Sequence, residues 1–249
     1  MEINQLIIKK LKSSKNVAIF MHVNPDGDCF GAASALKETL LMLGKKADIF
    51  CDTEVILKNY HFIKHIPEVN VKTCENYDLS VAVDCSDQNR LGKYYELFKK
   101  SSVTIKIDHH VTKADFAQIN LVEEVSSTCL ILYYYLQKLV KFNNAIACAL
   151  YVGISTDTGS FIHSNTTYEE HIVAADLIKN YNFNLEQTNN YVYKTMTYSE
   201  FMLKKIAFNN VKFFADNKIC IIYLQGKDFK EANSNRRSEE HTSELQSLR

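Results

Sequence analysis

The sequence lacks the features that would place it among membrane proteins or proteins that hold long nucleic acids. It has no excess of either charge, with 29 Lys plus Arg against 29 Asp plus Glu in 249 residues. No general attraction to long polyanions is therefore expected. It also has no apolar run near the roughly 20 residues that cross a bilayer, and no secretory signal precedes the first predicted helix. We expect a cytoplasmic protein without membrane or long-DNA partners, whose nucleotide partners are short.

Paired cysteines are also missing. The seven cysteines are scattered singly, without any CxxC spacing. Most lie inside apolar segments, which is typical of reduced core residues in a reducing compartment. Cys29 and Cys85 directly follow Asp28 and Asp84, so a thiol ligand to a metal remains an alternative at these two positions.

What the sequence does contain is acids and histidines placed directly after apolar runs. The first such segment is the turn HVNPDGD, which follows a β-branched apolar run. Pro25 fixes one backbone dihedral and Gly27 permits a positive one, so His22, Asp26 and Asp28 can converge at the carboxyl end of a strand. Asn, Pro, Asp and Gly are also ordinary turn formers. Taken by itself, this segment could therefore be a turn that binds no ligand.

Three further apolar segments end in the same way. A buried carboxylate without a partner is costly, so acids repeated at this position indicate a shared partner, and a cation is the simplest one. The side chains concerned are Asp84, the triplet Asp108, His109 and His110, and Asp157.

Together the clusters offer six ligand side chains with carboxylate or imidazole donors. This mixture favours Mn²⁺ or Mg²⁺ over a structural Zn²⁺ site, and six ligands with one bridging carboxylate suit two ions. Two divalent cations roughly 3.5–4 Å apart lower the pKa of water and neutralise phosphate oxygens, so the predicted reaction is phosphoester hydrolysis. The six ligands are His22, Asp26, Asp28, Asp84, His109 and Asp157.

Strands and helices alternate through about the first 160 residues, which predicts an α/β fold with a doubly wound, mainly parallel sheet. Strands are predicted at 17–20, 47–50, 79–83, 103–107 and 119–122, and helices at 2–11, 31–43, 57–66, 93–100, 126–140, 145–154, 169–179 and 185–193. In the helix at 57–66, His61 and His65 are four residues apart, a spacing that suits either a metal or a surface face. Asp87 and Arg90 are interpreted as caps of the helix at 93–100.

A hairpin at residues 211–224 begins the incomplete start of a second, smaller α/β domain. The expected organisation is a first domain over 1–180, a helical linker over 181–209, the partial second domain over 210–235, and a polar tail over 236–249. The tail shows no hydrophobic period and is interpreted as non-native or solvated.

The four clusters, in this order, resemble the motifs of the DHH phosphoesterase superfamily, which is named for the third cluster. The resemblance extends over about residues 1 to 230. Its motifs are the HxNPDGD turn, the single Asp84, the triplet Asp108-His109-His110, and the segment Gly153-x-x-x-Asp157-Thr158-Gly159.

The resemblance implies two divalent cations, most suitably Mn²⁺ with Mg²⁺ as the alternative, that share Asp84 as a bridging ligand. It also implies that His110 acts on the scissile phosphate and that Asp108 orients a histidine. The implied ligand sets are His22, Asp26 and Asp84 for one ion, and Asp28, Asp84, His109 and Asp157 for the other.

The substrate is expected to contact Ser126, Ser127 and Thr158. The first two precede a predicted helix, whose free N–H groups form an anion site, although capping alone would explain their hydroxyls. The NPDGD turn followed by Gly31 resembles the bacterial oligoribonuclease and 3′-phosphoadenosine 5′-phosphate phosphatase branch. That branch implies short RNA, linear dinucleotides such as pApA, or the bisphosphate pAp as substrates.

Two alternatives remain open at this point. A manganese-dependent inorganic pyrophosphatase would share the same ligands. A nucleotide- or metal-binding fragment with little activity is the other, because the Gly-Gly-Gly-His signature of the second domain in family members does not occur in this chain. We therefore expect a truncated chain, and leave a homodimer open.

Overall fold

The computed structural model describes residues 3–53, 58–111 and 114–234. The chain divides into two compact units between Tyr193 and Lys194. This division lies inside the predicted linker at 181–209, and the predicted domain boundaries stay a prediction. The predicted tail at 236–249 lies outside the described residues.

The first unit is built on a five-stranded sheet in which every neighbouring pair is parallel. The strands are rich in buried apolar residues, as expected when helices cover both faces of a parallel sheet. Their order is β2-β1-β3-β4-β5, which confirms the predicted doubly wound fold. The bounds are β1 Asn16–Phe20, β2 Lys46–Phe50, β3 Leu79–Val83, β4 Val103–Asp108 and β5 Ile119–Val122.

This strand order places a topological switch point between β1 and β3. The chain passes from β1 to β2 on one side and then returns to β3 on the other side of β1. In open α/β sheets, ligands bind outside the carboxyl ends of the strands at such a point. His22 lies just beyond β1 and Asp84 immediately follows β3, so two predicted ligands flank the switch point.

The helices of the first unit cover both faces of the sheet. Residues alternate along β1, so that Val17 and Ile19 join the larger core while Ala18 and Phe20 join a smaller cluster on the opposite face. The α-helices are α1 Ile3–Ser13, α2 Gly27–Met42, α3 Tyr95–Phe98, α4 Thr128–Leu136, α5 Asn144–Asp157, α6 Tyr168–Asn180 and α7 Leu185–Asn189. Short 3₁₀ turns span Lys58–Tyr60, Ile66–Glu68 and Gln88–Tyr94, and a π-helical turn spans Asn190–Lys194.

Helix α2 begins earlier than predicted. It starts at Gly27 instead of residue 31, because the Asp26 side chain caps it by accepting a hydrogen bond from the Cys29 N–H at 3.1 Å. The positive backbone dihedral expected at Gly27 lies instead at Asn24, with φ of 54°. Gly27 has a packing role, since a Cβ on it would lie 2.4 Å from Thr156 Oγ1.

The α-helix predicted at 57–66 also differs from the structure. Residue 57 lies outside the described residues. From 58 to 66 the described chain holds the 3₁₀ turn Lys58–Tyr60 and the start of a second one, Ile66–Glu68. His65 adopts a left-handed conformation with φ of 69°, which interrupts a helix. It is buried, and its Nε2 lies 2.7 Å from Glu38 Oε2. His61 is exposed, so the two histidines do not share a face.

The described part of the second unit contains two helices and one hairpin. The antiparallel strands pair Lys212 with Ile221 and Phe214 with Ile219 around the predicted turn. Their bounds are α8 Tyr198–Asn209, β6 Lys212–Phe214, β7 Ile219–Ile221 and α9 Gly226–Glu231. Across the described ranges of both units, every helix is too short or too polar to serve as a bilayer span.

The close approach of α2 to α5 yields a test of the fold. At Gly31 a Cβ would lie 2.3 Å from the backbone oxygen of Ala149, so Gly31→Ala must push the two helices apart. We expect the free energy of unfolding to fall by roughly 1–3 kcal/mol, the usual cost of overpacking. Thermal or urea unfolding measures it.

Gly226→Ala is the matched control, because a Cβ there meets no atom within 4 Å. It should leave the unfolding temperature unchanged. Equal stability of the two variants would show that α2 and α5 are not packed as closely as described.

Candidate metal centre

Predicted ligands from four separate segments meet at the carboxyl edge of the sheet. Asp84 lies between two histidines, with its Oδ2 3.5 Å from His22 Nε2 and its Oδ1 3.5 Å from His109 Nε2. His109 Nε2 is also 3.1 Å from Asp157 Oδ2. Each oxygen of Asp84 thus faces a different histidine, and the role of this carboxylate as a bridging ligand stays a prediction.

The backbone of Asp84 is held in an uncommon conformation. Its φ is 55°, in the left-handed region that residues other than glycine seldom adopt. The Asp84 N–H donates to the Ile107 carbonyl at 2.9 Å, so the pairing of β3 with β4 continues to this residue. Thr128 Oγ1 donates to Asp84 Oδ1 at 3.1 Å. Such strain persists only where surrounding contacts determine it, and it is common at functional sites.

Asp28 is fixed by the first turn of α4. Its Oδ2 accepts the Thr128 N–H at 2.7 Å and its Oδ1 accepts the Cys129 N–H at 2.9 Å. A helix N-terminus offers free donors and a partial positive charge, which suits a carboxylate. The remaining lone pairs of Asp28 can still bind a cation, and one of its oxygens lies within 4.8 Å of ligand atoms of His109 and Asp157.

This arrangement corrects the predicted anion site at the start of α4, because the anion bound there is Asp28 itself. Ser126 and Ser127 are buried, and the Ser127 hydroxyl accepts the Leu130 N–H at 3.1 Å. Thr158 is also buried and donates to the Ile154 carbonyl at 2.6 Å. The substrate contacts expected of these three residues stay a prediction.

Burial and the crowding of carboxylates together set the electrostatics of the site. Burial, and then the negative charges of Asp26 and Asp84, raise the pKa of Asp157 to about 8. Burial and neighbouring carboxylates likewise raise the pKa of Asp28. The pKa of Asp84 is lowered: burial opposes this, but the hydrogen bond and charge of His22 and the charge of His109 outweigh it. Buried acids that repel one another fit a site built around added positive charge.

His110 is oriented by Asp108, the role that was predicted for this acid toward one of the histidines. Its Nδ1 lies 2.8 Å from Asp108 Oδ1, and Asp108 Oδ2 lies 3.1 Å from Lys106 Nζ. The hydrogen bond to Asp108 is the main reason why the pKa of His110 is raised. The catalytic roles of His110 and Asp108 stay predictions.

Asp26 and the thiols differ from expectation. Among the described residues, three groups of potential ligand atoms lie close enough to share an ion, and Asp26 belongs to none of them. Cys29 does, together with His22 and Asp84. The Cys85 thiol instead donates to the Asp87 carbonyl at 3.2 Å. The structure thus keeps the thiol alternative at Cys29 alone, while Asp26 as a ligand stays a prediction.

Two cations of the site were not identified from the sequence as part of it. Lys106 is fully buried beside Asp108, although its place in an alternating strand suggests a solvent-facing residue. Arg90 was interpreted as a helix cap, but its Nη2 lies 2.8 Å from His22 Nδ1. Asp87 is a cap, but of the 3₁₀ segment Gln88–Tyr94 and not of the helix predicted at 93–100, and it accepts the Asn89 N–H at 2.8 Å.

A parallel, doubly wound sheet with carboxylates and imidazoles gathered at its switch point defines an α/β protein with a candidate metal centre. The family model described as "DHH family, N-terminal domain" matches residues 16–154. The chain belongs to the DHH family.

Named relatives match over most of this chain. It is 31% identical over 181 residues to the "Bifunctional oligoribonuclease and PAP phosphatase NrnA" of Mycoplasma genitalium, an alignment covering 69% of this chain and 55% of that protein. It is 26% identical over 224 residues to the protein of the same name from Bacillus subtilis, covering 88% and 69%. The chain spans little more than half the length of the Mycoplasma genitalium relative.

Solved structures support the fold. An exopolyphosphatase-related protein from Bacteroides fragilis superposes with a TM-score of 0.85 at 19% identity, covering 96% of this chain and 74% of that one. A putative family II inorganic pyrophosphatase from Methanococcus jannaschii gives a TM-score of 0.52 at 15% identity, covering 87% and 75%. At these identities the likeness concerns the fold alone.

The raised pKa values predict how stability depends on pH. Without divalent ions, the folded state keeps the Asp157 proton up to about pH 8, whereas the unfolded chain loses it near the ordinary value of 3.8. Above about pH 5, acids with lowered pKa values such as Asp84 and Asp108 are ionised in both states, so from there to about pH 8 the unfolded state binds fewer protons and the free energy of unfolding should fall as the pH rises. The raised pKa values of His22 and His110 act in the same direction. Thermal unfolding in a chelator measures the effect.

Mn²⁺ should reverse this loss, and more strongly at higher pH, because it competes with protons for the same carboxylates. Asp157→Asn is the matched control, since an amide does not titrate, and it should flatten the pH dependence in the chelator. An unfolding temperature that rises between about pH 5 and pH 8 in the chelator would contradict the description of the site.

Lys106→Met should be strongly destabilising. It removes the cation beside Asp108 while leaving that carboxylate buried, and both side chains are 0% exposed. Breaking one partner of a buried pair costs about 3–5 kcal/mol. Denaturant unfolding checks this, and Lys106→Met combined with Asp108→Asn should recover part of the loss. A double variant no more stable than the single one would argue against the pairing.

Proposed function

We propose that the chain carries the catalytic domain of a metal-dependent phosphoesterase. Its substrates would be short oligoribonucleotides, linear dinucleotides such as pApA, or 3′-phosphoadenosine 5′-phosphate. The single observation that carries the proposal is the placement of Asp84 between His22 and His109 at the sheet edge of a DHH-family chain. The names of the curated relatives, oligoribonuclease and PAP phosphatase, supply the substrate class.

The donor set fits two hard or borderline divalent cations, and Mn²⁺ is the ion we propose, with Mg²⁺ as the alternative. When bound, such ions lower the pKa of water and neutralise phosphate oxygens. Asp84 would be the shared ligand. The remaining ligands would be His22 and Asp26 on one side, and Asp28, His109 and Asp157 on the other.

The protein's own groups would orient the reaction. Asp108 accepts a hydrogen bond from His110 Nδ1, so we assign the other ring nitrogen, Nε2, to the scissile phosphate. An imidazole there stabilises developing charge or supplies a proton to the leaving oxygen. The buried Lys106 beneath Asp108 would keep this carboxylate in place.

The balanced charge of the chain supports short substrates. Binding of long nucleic acid depends on many phosphate contacts from an extended basic surface, and the 29 cationic and 29 acidic side chains give no net charge to build one. A cytoplasmic location and a homodimer stay predictions. Inorganic pyrophosphatase activity and metal-dependent nucleotide binding without turnover are the competing outcomes of the following experiment.

Purified chain should release mononucleotide from pApA and phosphate from pAp only when Mn²⁺ or Mg²⁺ is present. Asp84→Asn should lower both rates by on the order of a hundredfold or more, the scale lost with one charge-stabilising group. Nucleotide release is followed chromatographically.

His61→Asn is the control, because His61 is exposed and belongs to none of the three ligand groups. His61→Asn should hydrolyse pApA and pAp at the same rates as the unaltered protein. Faster turnover of pyrophosphate than of pApA would favour the pyrophosphatase. Tight Mn²⁺ binding without hydrolysis of any of the three compounds would favour the binding fragment.

A further inference from the structure

Arg90 reaches the metal centre although it is not one of the proposed ligands. It lies on the 3₁₀ segment Gln88–Tyr94 that follows β3, while His22 follows β1. Its Nη2 is 2.8 Å from His22 Nδ1, and its backbone oxygen accepts the Val23 N–H at 2.7 Å. Two contacts therefore join the segments on the two sides of the switch point.

The nitrogen that faces Arg90 has a second neighbour. The Val23 carbonyl oxygen lies 2.7 Å from the same His22 Nδ1. A guanidinium has only donors and a carbonyl has only acceptors, whereas one imidazole nitrogen either carries a proton or offers a lone pair. Nδ1 can accept from Arg90 or donate to Val23, but it cannot do both at once. Only one of these two contacts can be a hydrogen bond at a time, and the Arg90 guanidinium lies against His22 in either case.

A bound ion would select one of these two hydrogen bonds. His22 faces Asp84 through Nε2, the nitrogen that would give its lone pair to a cation. A neutral imidazole that ligates through Nε2 carries its proton on Nδ1, where the Val23 carbonyl is the available acceptor. Arg90 then loses its acceptor on His22, and its guanidinium is left with donors to satisfy.

We propose that Arg90 is a phosphate-binding residue that an ion at His22 releases toward the substrate. This inference rests on the proposed function and names a further substrate contact for the same site. Arginine pairs with phosphate through two parallel hydrogen bonds, and Arg90 is half-buried, so it is open to a ligand that enters from solvent. Asp26 is the acid whose charge interacts with Arg90, but its Oδ1 already accepts the Cys29 N–H and it is one of the proposed ion ligands.

The release of Arg90 also links the two binding events. An ion that occupies His22 frees the guanidinium, and a phosphate that binds the guanidinium removes a competitor for His22. Linkage requires each ligand to strengthen the other by the same factor. Part of the cooperativity between cation and nucleotide would therefore depend on the Arg90 side chain.

The test uses the whole chain and measures binding, not turnover. Mn²⁺ affinity and the affinity for adenosine 5′-monophosphate in saturating Mn²⁺ are determined by calorimetry for the unaltered protein, Arg90→Met and Arg90→Lys. Arg90→Met should weaken nucleotide binding by roughly ten- to hundredfold, the value of a charge-assisted hydrogen bond. Its Mn²⁺ affinity should be unchanged or higher. The nucleotide affinity of Arg90→Lys should be intermediate, since lysine keeps the positive charge but cannot donate two parallel hydrogen bonds. This variant also replaces Arg90→Met as the test if Arg90→Met fails to fold.

Lys93→Met is the matched control. It removes a positive charge from the same 3₁₀ segment, but Lys93 is exposed and pairs with Asp52 at 3.0 Å. Its nucleotide affinity should stay within twofold of that of the unaltered protein, which separates a specific contact from a general loss of charge.

Three results would overturn the inference. The first is nucleotide affinity in Arg90→Met and Arg90→Lys equal to that of the control. The second is a parallel fall in Mn²⁺ and nucleotide affinity, which would make Arg90 a residue that only positions His22. The third is an unaltered protein that binds Mn²⁺ but no nucleotide. If nucleotide binding depends on Arg90 while pApA is not hydrolysed, the assignment stands and the proposed activity fails.

Discussion

A carboxylate that is withdrawn from water needs positive charge beside it, and this requirement organises the edge of the sheet. Asp84 is buried between two imidazoles, and its backbone adopts a left-handed conformation. The register of β3 against β4 brings Ile107 opposite the end of β3, so that its carbonyl holds the Asp84 N–H. The strain at Asp84 is therefore maintained by the sheet itself, before any ion is considered.

At Asp28, the positive charge that a buried carboxylate needs is supplied in part by a helix N-terminus. The N-terminus of α4 supplies two N–H donors to this carboxylate, and α5 can lie close only because Gly153 has no side chain. A Cβ at Gly153 would lie 2.6 Å from Asp28 Oδ1 and 2.2 Å from Cys129 Sγ. The close packing of α4 and α5 therefore also positions the Asp28 carboxylate in the candidate metal centre. A site of this kind carries unfavourable repulsion when ion-free, so ion binding and stability are coupled.

The sheet could be predicted from sequence because each strand is a short segment rich in apolar residues, nearly continuous in β3 and alternating in β4, and polar residues stand at the ends of both. The residues at those ends, such as Asp84 and His109, were found for the same reason. Sequence could not show that Asp26 is a helix cap, since a turn former and a cap have the same composition. It also could not place Arg90 beside His22, because 68 residues separate them and only the strand order brings them together. Lys106 was missed because burial of a strand's outer face depends on what packs there, here the ring of Phe116.

The balance of charge at this edge bears on how an anionic substrate can approach it. Several acids converge where the proposed phosphate substrate would bind, and burial followed by their mutual repulsion raises the pKa values of Asp28 and Asp157. A phosphate added to the ion-free edge would increase that repulsion. Lys106 cannot offset it directly, because it is buried and directed at Asp108. Divalent cations, the guanidinium of Arg90 and the imidazole of His110 are the groups that can reverse the local sign of charge. Cations and substrate would then occupy the site together or bind weakly alone.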